Sequence, residues 1–232
     1  MKKVFLFIAV VIMAALISCS GGDKKNGSSS DSTKTKDSIA KSSVGGKYDL
    51  KSGIITMTSE TMGMKQTMIK YFDDYGNKEC MEITGEMKMG MGSPVKMNHT
   101  NITVDGFLYN LDNNKKTGTK MAVKGKGGHK DIEFKNLTED QMKELNMTKG
   151  GTETILGKTC NKFTLNDTKR KMKATYYVWD GILLKSEVSM AGITAVNAAI
   201  KIEENATVPD GKFTIPTDYK ITESTGLPKK KK

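Results

Sequence analysis

Sulfur dominates the chemistry open to this sequence, which contains 16 methionines and three cysteines but only two histidines. Met87, Met89 and Met91 alternate with other residues along one stretch, and His99 follows them. Thioether sulfur is a soft ligand that suits Cu(I). Residues two apart on a strand are separated by about 6.6 Å along the backbone. Two of these sulfur atoms could therefore bind one ion, whereas binding by three would strain a straight strand. The pattern allows a Cu(I) or Ag(I) site formed by Met87, Met89, Met91 and His99.

The same alternation also describes an ordinary apolar face, and we favour this interpretation. Met81, Met87, Met89 and Met91 fall on one side of a predicted strand, with charged or polar residues opposite. Methionine side chains are flexible, and they fill gaps in cores or line adaptable cavities. We therefore predict that these four methionines and Trp179 line a surface for an apolar ligand, and we expect no metal or cofactor. The alternative is that they form a filled core.

The two internal cysteines, Cys80 and Cys160, allow two arrangements. A disulfide between them would close a loop of about 80 residues and stabilise the fold by roughly 2–4 kcal/mol. Spacing alone does not show how closely the two Cα atoms approach, so two separate buried thiols are the alternative. No Cys-x-x-Cys pair occurs, which argues against thioredoxin-type redox chemistry.

Signatures of catalysis are absent from the sequence. It has no His-Glu-x-x-His motif, no nucleophile elbow and no phosphate-binding glycine loop. His129 lies in a stretch of glycine and lysine that is typical of an exposed loop. We predict a protein that is not an enzyme.

The chain opens with a secretory signal. Lys2 and Lys3 precede an apolar run of 14 residues, 4–17, which is shorter than the about 20 residues of a membrane-spanning helix. The run ends in Leu16-Ile17-Ser18-Cys19, which resembles the bacterial lipobox. The resemblance implies that residues 1–18 are a signal peptide and that Cys19 carries the acyl chains of a membrane lipid anchor. Ser20 after the cysteine implies transfer to the outer membrane.

Most of the formal net charge of +11 resides at the two ends of the chain. Residues 20–46 are polar and cannot bury enough apolar surface to fold, so 19–46 is predicted to be a lipid-anchored flexible tether. Residues 229–232 form a basic tail. The predicted single domain, 47–228, carries only +3 and contains the one arginine, Arg170. The single arginine excludes a phosphate site built from an arginine cluster. We expect no nucleic-acid partner, because nucleic acid is a poor partner for an exported protein.

Period-two alternation dominates 47–228 and predicts about nine or ten short antiparallel strands. Asp105-Gly106 and Asp180-Gly181 have the composition of tight hairpin turns. One apolar strand face is expected to consist of Val196, Ala198, Ile200 and Ile202.

One helix is predicted from the capping-box spacing of Thr138-Glu139-Asp140-Gln141, and we expect it to end near Met147, before Gly150-Gly151. These elements predict an α+β fold that is mainly antiparallel β. We expect a strongly curved sheet or half-open β-barrel with one or a few helices, and the alternative is a two-sheet β-sandwich.

Three C-terminal motifs are Gly157-Lys158-Thr159-Cys160, the stretch 177–185 around Trp179-Asp180-Gly181, and Phe213-Thr214-Ile215-Pro216 continuing to Tyr219. Their order resembles the LolA/LolB-like lipoprotein-carrier superfamily of bacterial envelopes. The resemblance implies a half-open β-barrel whose concave side binds acyl chains, with a lipid or lipoprotein as ligand. It covers roughly residues 150–222.

The leading hypothesis is therefore a non-enzymatic, membrane-anchored lipoprotein of the cell envelope that binds an acyl chain, lipid or lipoprotein in a β-cavity. Two alternative functions remain. One is a structural or partner-binding envelope module with a filled core, and the other is the Cu(I)- or Ag(I)-binding protein described above.

Overall fold

The structure is a computed structural model that describes residues 46–87, 94–123 and 132–224. Strands alternate with short turns over nearly all of these residues. The elements are β1 (Gly53–Thr61), β2 (Met64–Asp73), β3 (Lys78–Met87), β4 (Val95–Val104), β5 (Phe107–Asp112), β6 (Thr117–Ala122), α1 (Glu139–Glu144), β7 (Met147–Ile155), β8 (Lys158–Asp167), β9 (Met172–Trp179), β10 (Ile182–Met190), β11 (Ile193–Glu204) and β12 (Lys220–Glu223), with 3-10 turns at Asp74–Gly76, Phe134–Asn136 and Asp210–Phe213.

Every described strand belongs to one sheet of 12 strands, two or three more than the sequence predicts. The strand order is β12-β6-β5-β4-β3-β2-β1-β11-β10-β9-β8-β7, and all pairs are antiparallel except β12 with β6. The sheet is curved and unclosed, with β12 and β7 at its edges. The predicted fold class is confirmed. The sandwich alternative is wrong, because β1 pairs with both β2 and β11 and so joins the two halves of the chain into one sheet.

The hairpin turns lie on two opposite rims, because neighbouring strands alternate in direction. The turns that follow β1, β3, β5, β8 and β10 share one rim, and those that follow β2, β4, β7 and β9 share the other. We call the first the Met62 rim, whose described turns are 62–63, 113–116, 168–171 and 191–192. We call the second the Asp180 rim, whose turns are 74–77, 105–106, 156–157 and 180–181.

Both predicted tight turns are confirmed. Asp105 and Gly106 have φ values of 51° and 76°, and Asp180 and Gly181 have 50° and 83°. Positive φ at both central residues is the geometry of a type I′ hairpin turn, which matches the twist of the strands that it joins.

The helix begins as predicted but ends earlier. Thr138 accepts a hydrogen bond from the Gln141 backbone, and the Gln141 side chain accepts one from the Thr138 backbone, which completes the capping box. α1 ends at Glu144 because Asn146 takes a left-handed φ of 51°. Gly150 and Gly151 lie inside β7, at a register shift between Lys149 and Thr152, and do not end the helix.

The predicted apolar face of β11 is wrong. The buried residues are Ala195, Asn197 and Ala199, whereas Ile200 is 54% exposed. A register shift against β1 opposes Met57 to Ala199 but Thr56 to Lys201, so that Ile200 is left without a partner in this pairing. The core side of β11 therefore follows the odd-numbered residues as far as this shift.

Three apolar clusters form the core. The first cluster, beneath the centre of the sheet, contains Tyr48, Ile55, Met57, Met68, Phe72, Cys160, Tyr177, Ile182, Leu184 and Ala199. The second packs the region of α1 against β7–β10 through Phe163, Leu165, Met172 and their neighbours. The third joins β3–β5 to the 3-10 turn at Asp210–Phe213 through Cys80, Ile102, Leu111 and Phe213.

Candidate functional site

The structure brings two of the five predicted lining residues to the same cluster. Met81 on β3 and Trp179 on β9 are half-buried, and both pack against the first cluster. Met87 is the last residue of β3, and its side chain is not described. Met89 and Met91 lie outside the described residues. Their predicted part in an apolar lining, and in the alternative copper site, stays a prediction.

A row of polar side chains crosses four neighbouring strands beside the first cluster. Ser186 on β10 pairs with Asn197 on β11, Asn197 with Ser59 on β1, and Ser59 with Gln66 on β2. All four are buried, with exposures between 2% and 6%. The Asn197 Nδ2 donates a hydrogen bond of 3.0 Å to the Ser186 Oγ. The row is neutral, because it consists of hydroxyl and amide groups alone.

The row continues to Gly85 on β3, which pairs with Gln66 and leaves little room. A methyl group at Gly85 would lie 2.9 Å from the Gln66 Cγ and 3.0 Å from the Lys65 carbonyl oxygen. Glycine is therefore required at this position by the close approach of β2. Larger residues here would displace the polar row.

A cavity of about 440 Å³ lies where β1, β2 and β3 meet this row. Its volume falls within the range of about 300–1,000 Å³ that is usual for ligand pockets. The lining residues are mainly polar or small: Thr58, Ser59, Glu60, Lys65, Gln66, Thr67, Thr84 and Gly85. A ligand in this cavity can therefore form hydrogen bonds with the lining residues while the apolar core stays closed.

Apolar residues adjoin the cavity two positions further along the strands. Met57 on β1 pairs with Met68 on β2, and Met68 pairs with Ile83 on β3. This apolar row begins about 7 Å from the polar row, because residues two apart on a strand are separated by that distance. The polar row therefore lies between the cavity and a buried apolar row, in which Met57 and Met68 are 1% and 5% exposed.

Thr61 lies next to this region and has an unusual environment. The residue is 6% exposed, and its Oγ1 is the buried side-chain atom that lacks a hydrogen-bond partner within the part of the chain that the structure describes. An unpaired buried hydroxyl costs about 1–3 kcal/mol. Water or a ligand hydroxyl that reached it would recover this energy.

A buried charged cluster closes the opposite end of the first cluster. The Tyr48 hydroxyl donates to the Glu79 Oε1, and the Lys70 Nζ donates to both groups, at 2.9 Å to Tyr48 and 3.0 Å to Glu79. Lys47 donates to the other carboxylate oxygen of Glu79 at 2.6 Å. The Phe72 ring packs edge-on against the Tyr48 ring, with 5.0 Å between their centroids.

Burial and the neighbouring charges shift the pKa values of Glu79 and Lys70 in opposite directions. Burial disfavours the Glu79 carboxylate, but the charges of Lys70 and Lys47 outweigh it and lower the pKa of Glu79 from 4.5 to about 2. Burial likewise disfavours the Lys70 ammonium, but Glu79 outweighs it and raises the pKa of Lys70. Burial and the Glu79 charge raise the pKa of Tyr48. At neutral pH the cluster is therefore one carboxylate that forms ion pairs with both Lys70 and Lys47, beside a neutral phenol.

The same cluster fastens the start of the described chain to the Asp180 rim. The Tyr48 backbone N–H donates to the Tyr75 carbonyl at 3.1 Å, and the Asp49 N–H donates to the Asp180 carbonyl at 3.0 Å. Lys135 donates to the Tyr48 carbonyl at 3.1 Å and forms an ion pair with Asp49 at 3.0 Å. The predicted tether therefore joins the domain at this rim.

The two internal cysteines do not pair. Cys80 belongs to the third cluster and Cys160 to the first, and both are buried free thiols. Five strands separate β3 from β8 in the sheet order. Burial, reinforced by the charge of Glu82, raises the pKa of Cys80 to about 12, and burial also raises the pKa of Cys160. The structure thus has the second of the two arrangements that the sequence allows, and the disulfide is absent from it.

The remaining metal candidate, His99, lies on β4 opposite Asp112 on β5. Within residues 46–87, 94–123 and 132–224, no group of three or more His, Cys, Asp or Glu side chains is placed to hold a metal ion. In the same ranges, no helix has the length and apolar character needed to cross a membrane.

The chain is similar to solved structures, whereas the sequence comparisons find no match. No protein-family model and no curated protein matches the chain. Among solved structures, an uncharacterised conserved protein from Thermus thermophilus superposes with a TM-score of 0.49 at 8% identity, over 76% of this chain and 92% of that one. A LolA superfamily protein from Nitrosomonas europaea gives 0.33 at 12% identity, over 72% and 92%. LprF from Mycobacterium bovis gives 0.31 at 11% identity, over 71% and 90%.

The superfamily that the C-terminal motifs resemble is therefore among the structures to which this chain is similar. All of these TM-scores lie below 0.5, so the architecture rests on the strand order and register given above.

Sequence reasoning missed the polar row and the charged cluster. Asn197 lies between two apolar residues, and the pattern alone places those neighbours inside. Tyr48 is the second residue of the predicted domain, but nothing in the neighbouring sequence indicates that Lys70 and Glu79 contact it. Both features depend on register between strands that are distant in sequence.

Proposed function

We propose that this protein is a non-enzymatic lipoprotein of the cell envelope that binds an amphiphile, such as a lipid or the acylated end of a lipoprotein, at the cavity between β1, β2 and β3. The observation that carries the proposal is the position of this cavity. Its lining includes Ser59 and Gln66 of the neutral polar row, and two residues further along the same strands lie Met57 and Met68 of the first cluster. The resemblance of the C-terminal motifs to lipoprotein carriers supports the same ligand class.

Binding would place the two parts of the ligand on different surfaces. Ester, amide or hydroxyl groups would exchange hydrogen bonds with Ser59, Gln66 and the unpaired Thr61 hydroxyl. The acyl chain would enter among Met57, Met68 and similar residues, where flexible thioethers can change rotamer at small cost. Each buried CH₂ contributes about 0.8 kcal/mol. A chain of a few buried carbons therefore gives measurable affinity.

The proposal includes the organisation of the whole chain. Residues 1–18 form the signal peptide, and Cys19 carries the lipid anchor that holds the protein in the outer membrane. Residues 19–46 are the tether, 47–228 the domain and 229–232 the basic tail. Triple acylation anchors firmly, because two or more chains are needed for stable membrane attachment.

Ligand binding can be tested with the chain from Ser20 to Lys232, which keeps every described residue and lacks the anchor. A fluorescent fatty acid should bind it saturably, and lipid extracted from protein purified out of its host should appear by mass spectrometry. Thr67→Trp should fill the cavity, because Thr67 is an exposed lining residue, and should weaken binding about tenfold or more.

The matched control is Thr159→Trp, at an exposed threonine of β8 that does not line the cavity. It should bind like the unmodified protein. Absence of both co-purified lipid and saturable binding would overturn the proposal, as would equal weakening by the two tryptophans.

A second candidate is a partner-binding module with a filled core. The observation in its favour is the closure of the first cluster, where Cys160, Ile182 and Leu184 have no exposed surface. This candidate predicts that Met57→Leu and Met68→Leu leave every interaction of the protein unchanged. The amphiphile proposal predicts that these stiffer side chains alter the affinity for acyl chains of different length.

A further inference from the structure

Three of the exposed large apolar side chains belong to neighbouring hairpins at the Met62 rim. Met62, in the turn after β1, is 69% exposed, Val95 at the start of β4 is 51% exposed, and Met190 at the end of β10 is 43% exposed. Met62, between β1 and β2, lies near the middle of the six consecutive strands β4-β3-β2-β1-β11-β10, and Val95 and Met190 lie on the two outer strands of this group. Five strand spacings amount to about 24 Å, so the three side chains are spread along that length of the rim, with Met62 between the other two.

Basic turns flank these apolar side chains. The β5–β6 turn contains Lys115 and Lys116, and the β8–β9 turn, 168–171, contains two lysines and Arg170. No acidic residue lies in turns 62–63, 113–116, 168–171 or 191–192. Three acids from adjoining positions pair with three of these cations: Asp112 with Lys115, Asp218 with Lys116 and Asp167 with Arg170. The described turns of this rim remain basic after those pairs are counted, through Lys169 and Lys171.

The Asp180 rim has the opposite character. Its turns contain Asp74, Asp105 and Asp180 and no basic residue. The one large apolar side chain exposed in those turns is Leu156, at 47%. The turns of the two rims therefore differ in sign of charge and in the number of exposed apolar side chains.

We infer that the Met62 rim is a membrane-docking surface that binds a bilayer containing anionic lipid. Apolar side chains at the centre would enter the interface between headgroups and acyl chains, while the flanking lysines meet the phosphates. The basic turns favour an anionic surface over a neutral one, and the exposed apolar side chains between them fit the interface of a bilayer. The mouth of the proposed cavity lies directly below, since Glu60, Lys65 and Met62 are close together along the β1–β2 hairpin.

The predicted tether permits this orientation although it joins the domain at the other rim. Strands of 10 residues are about 33 Å long. The 27 residues from 19 to 45 reach about 90 Å when extended. The Met62 rim can therefore contact either the membrane that holds the anchor or a facing membrane. The same apolar and basic residues would bind the lipid in both cases.

The experiment uses the chain from Ser20 to Lys232 in co-sedimentation with vesicles. Vesicles of phosphatidylcholine and phosphatidylglycerol should bind the protein, binding should weaken as salt is raised, and pure phosphatidylcholine should bind it less. The triple variant Met62→Ser/Val95→Ser/Met190→Ser should lose about tenfold or more of the partition coefficient. Leu156→Ser, an equally exposed apolar residue of the Asp180 rim, should lose nothing.

The contribution of charge is tested separately. Lys169→Gln/Lys171→Gln should reduce both the affinity and its dependence on salt, and Lys51→Gln/Lys78→Gln, near the Asp180 rim, should change neither. Both double variants keep the basic tail, 229–232, so that any attraction of the tail to vesicles is the same in the two proteins.

A site-specific probe reports the orientation even if the triple serine variant fails to fold. The native thiols of this chain are buried, so an environment-sensitive fluorophore can be attached at Met62→Cys or at Leu156→Cys. Vesicles should shift the Met62 probe to the blue and leave the Leu156 probe unchanged. Equal shifts, or vesicle binding unaffected by the rim substitutions, would overturn the docking surface. The inference does not depend on the cavity, because Thr67→Trp should abolish ligand binding while vesicle binding is retained.

Discussion

The Lys70 ammonium lies 3.0 Å from the Glu79 carboxylate at one end of the first cluster, on the neighbouring strands β2 and β3. Glu79 is held there by Lys47, Lys70 and the Tyr48 hydroxyl together. A buried charge of this kind stabilises the fold only while its partners remain, because its water has been removed. The cluster therefore behaves as one unit.

Removal of the carboxylate charge should destabilise the domain. Glu79→Gln leaves two buried ammonium groups facing a neutral amide, and we expect the free energy of unfolding to fall by about 3–5 kcal/mol. Urea denaturation followed by circular dichroism measures this change. Glu223→Gln on edge strand β12 is the control, and its effect should stay within about 0.5 kcal/mol. Equal effects of the two substitutions would contradict the role of the cluster.

The same carboxylate predicts a dependence of stability on acid. The pKa of Glu79 is about 2 in the folded protein, whereas in the unfolded chain the carboxyl has its ordinary value of 4.5. As the pH falls, the unfolded chain therefore takes up a proton before the folded protein does. The contribution of Glu79 is complete above about pH 4.5 and is lost as the pH falls towards 2, with a total of about 3 kcal/mol. Unfolding measured across this window should show a smaller loss for Glu79→Gln than for the unmodified protein. Identical pH profiles would count against the charge assignment.

The buried thiols should resist modification. With a pKa of about 12 for Cys80, almost no thiolate exists at neutral pH, and Cys160 is fully buried. Ellman's reagent should therefore find no reactive thiol in the folded chain from Ser20, and two after denaturation without any reductant. Met62→Cys should add one thiol that reacts at once. A disulfide would give a different result, since neither thiol would appear until a reductant was added.

The close approach of β2 to β3 can be tested at Gly85. Gly85→Ala places a methyl group within 3.0 Å of Gln66 and of the Lys65 backbone, and overpacking of this kind costs about 1–3 kcal/mol. Thermal unfolding should show the loss, together with weaker binding of a fluorescent fatty acid. Gly150→Ala is the control, because open space surrounds that position. No difference between the two alanines would exclude a tight contact at Gly85.

The anchor is tested at Cys19. Cys19→Ser should move the protein from the detergent phase to the aqueous phase, or leave an unprocessed precursor, and should abolish metabolic labelling with palmitate. Ser20→Ala is the neighbouring control and should keep the label. An unmodified protein found in the aqueous phase, with another N-terminus and no acyl mass, would exclude the lipid anchor.

Local sequence signals predicted the parts of this fold that depend on neighbouring residues. Asp105-Gly106 and Asp180-Gly181 specify their turns through backbone conformation, and Thr138 specifies the start of α1 through a side-chain cap. The mainly antiparallel, curved sheet followed from the density of such turns and from the alternation between them.

Features that depend on register could not be predicted in this way. The register of β11 against β1 places Asn197 inside, opposite Ser59, and the irregular pairing after Ala199 leaves Ile200 outside, in contrast to their polarity. The sequence likewise indicated methionines for the site, whereas the cavity lies among threonines and Gln66. A one-residue shift exchanges the two faces of a strand, and only the partner strand reveals that shift.

The attachment of the first described residues also has a mechanical consequence. Tension on the chain before Gly46 reaches Tyr48 and then β1, which is paired along its whole length with β2 on one side and β11 on the other. A pull along the axis of such a central strand loads many hydrogen bonds at once in shear, whereas a pull on an edge strand peels them apart singly. The chain therefore transmits force from its N-terminal side into the most strongly bonded part of the sheet.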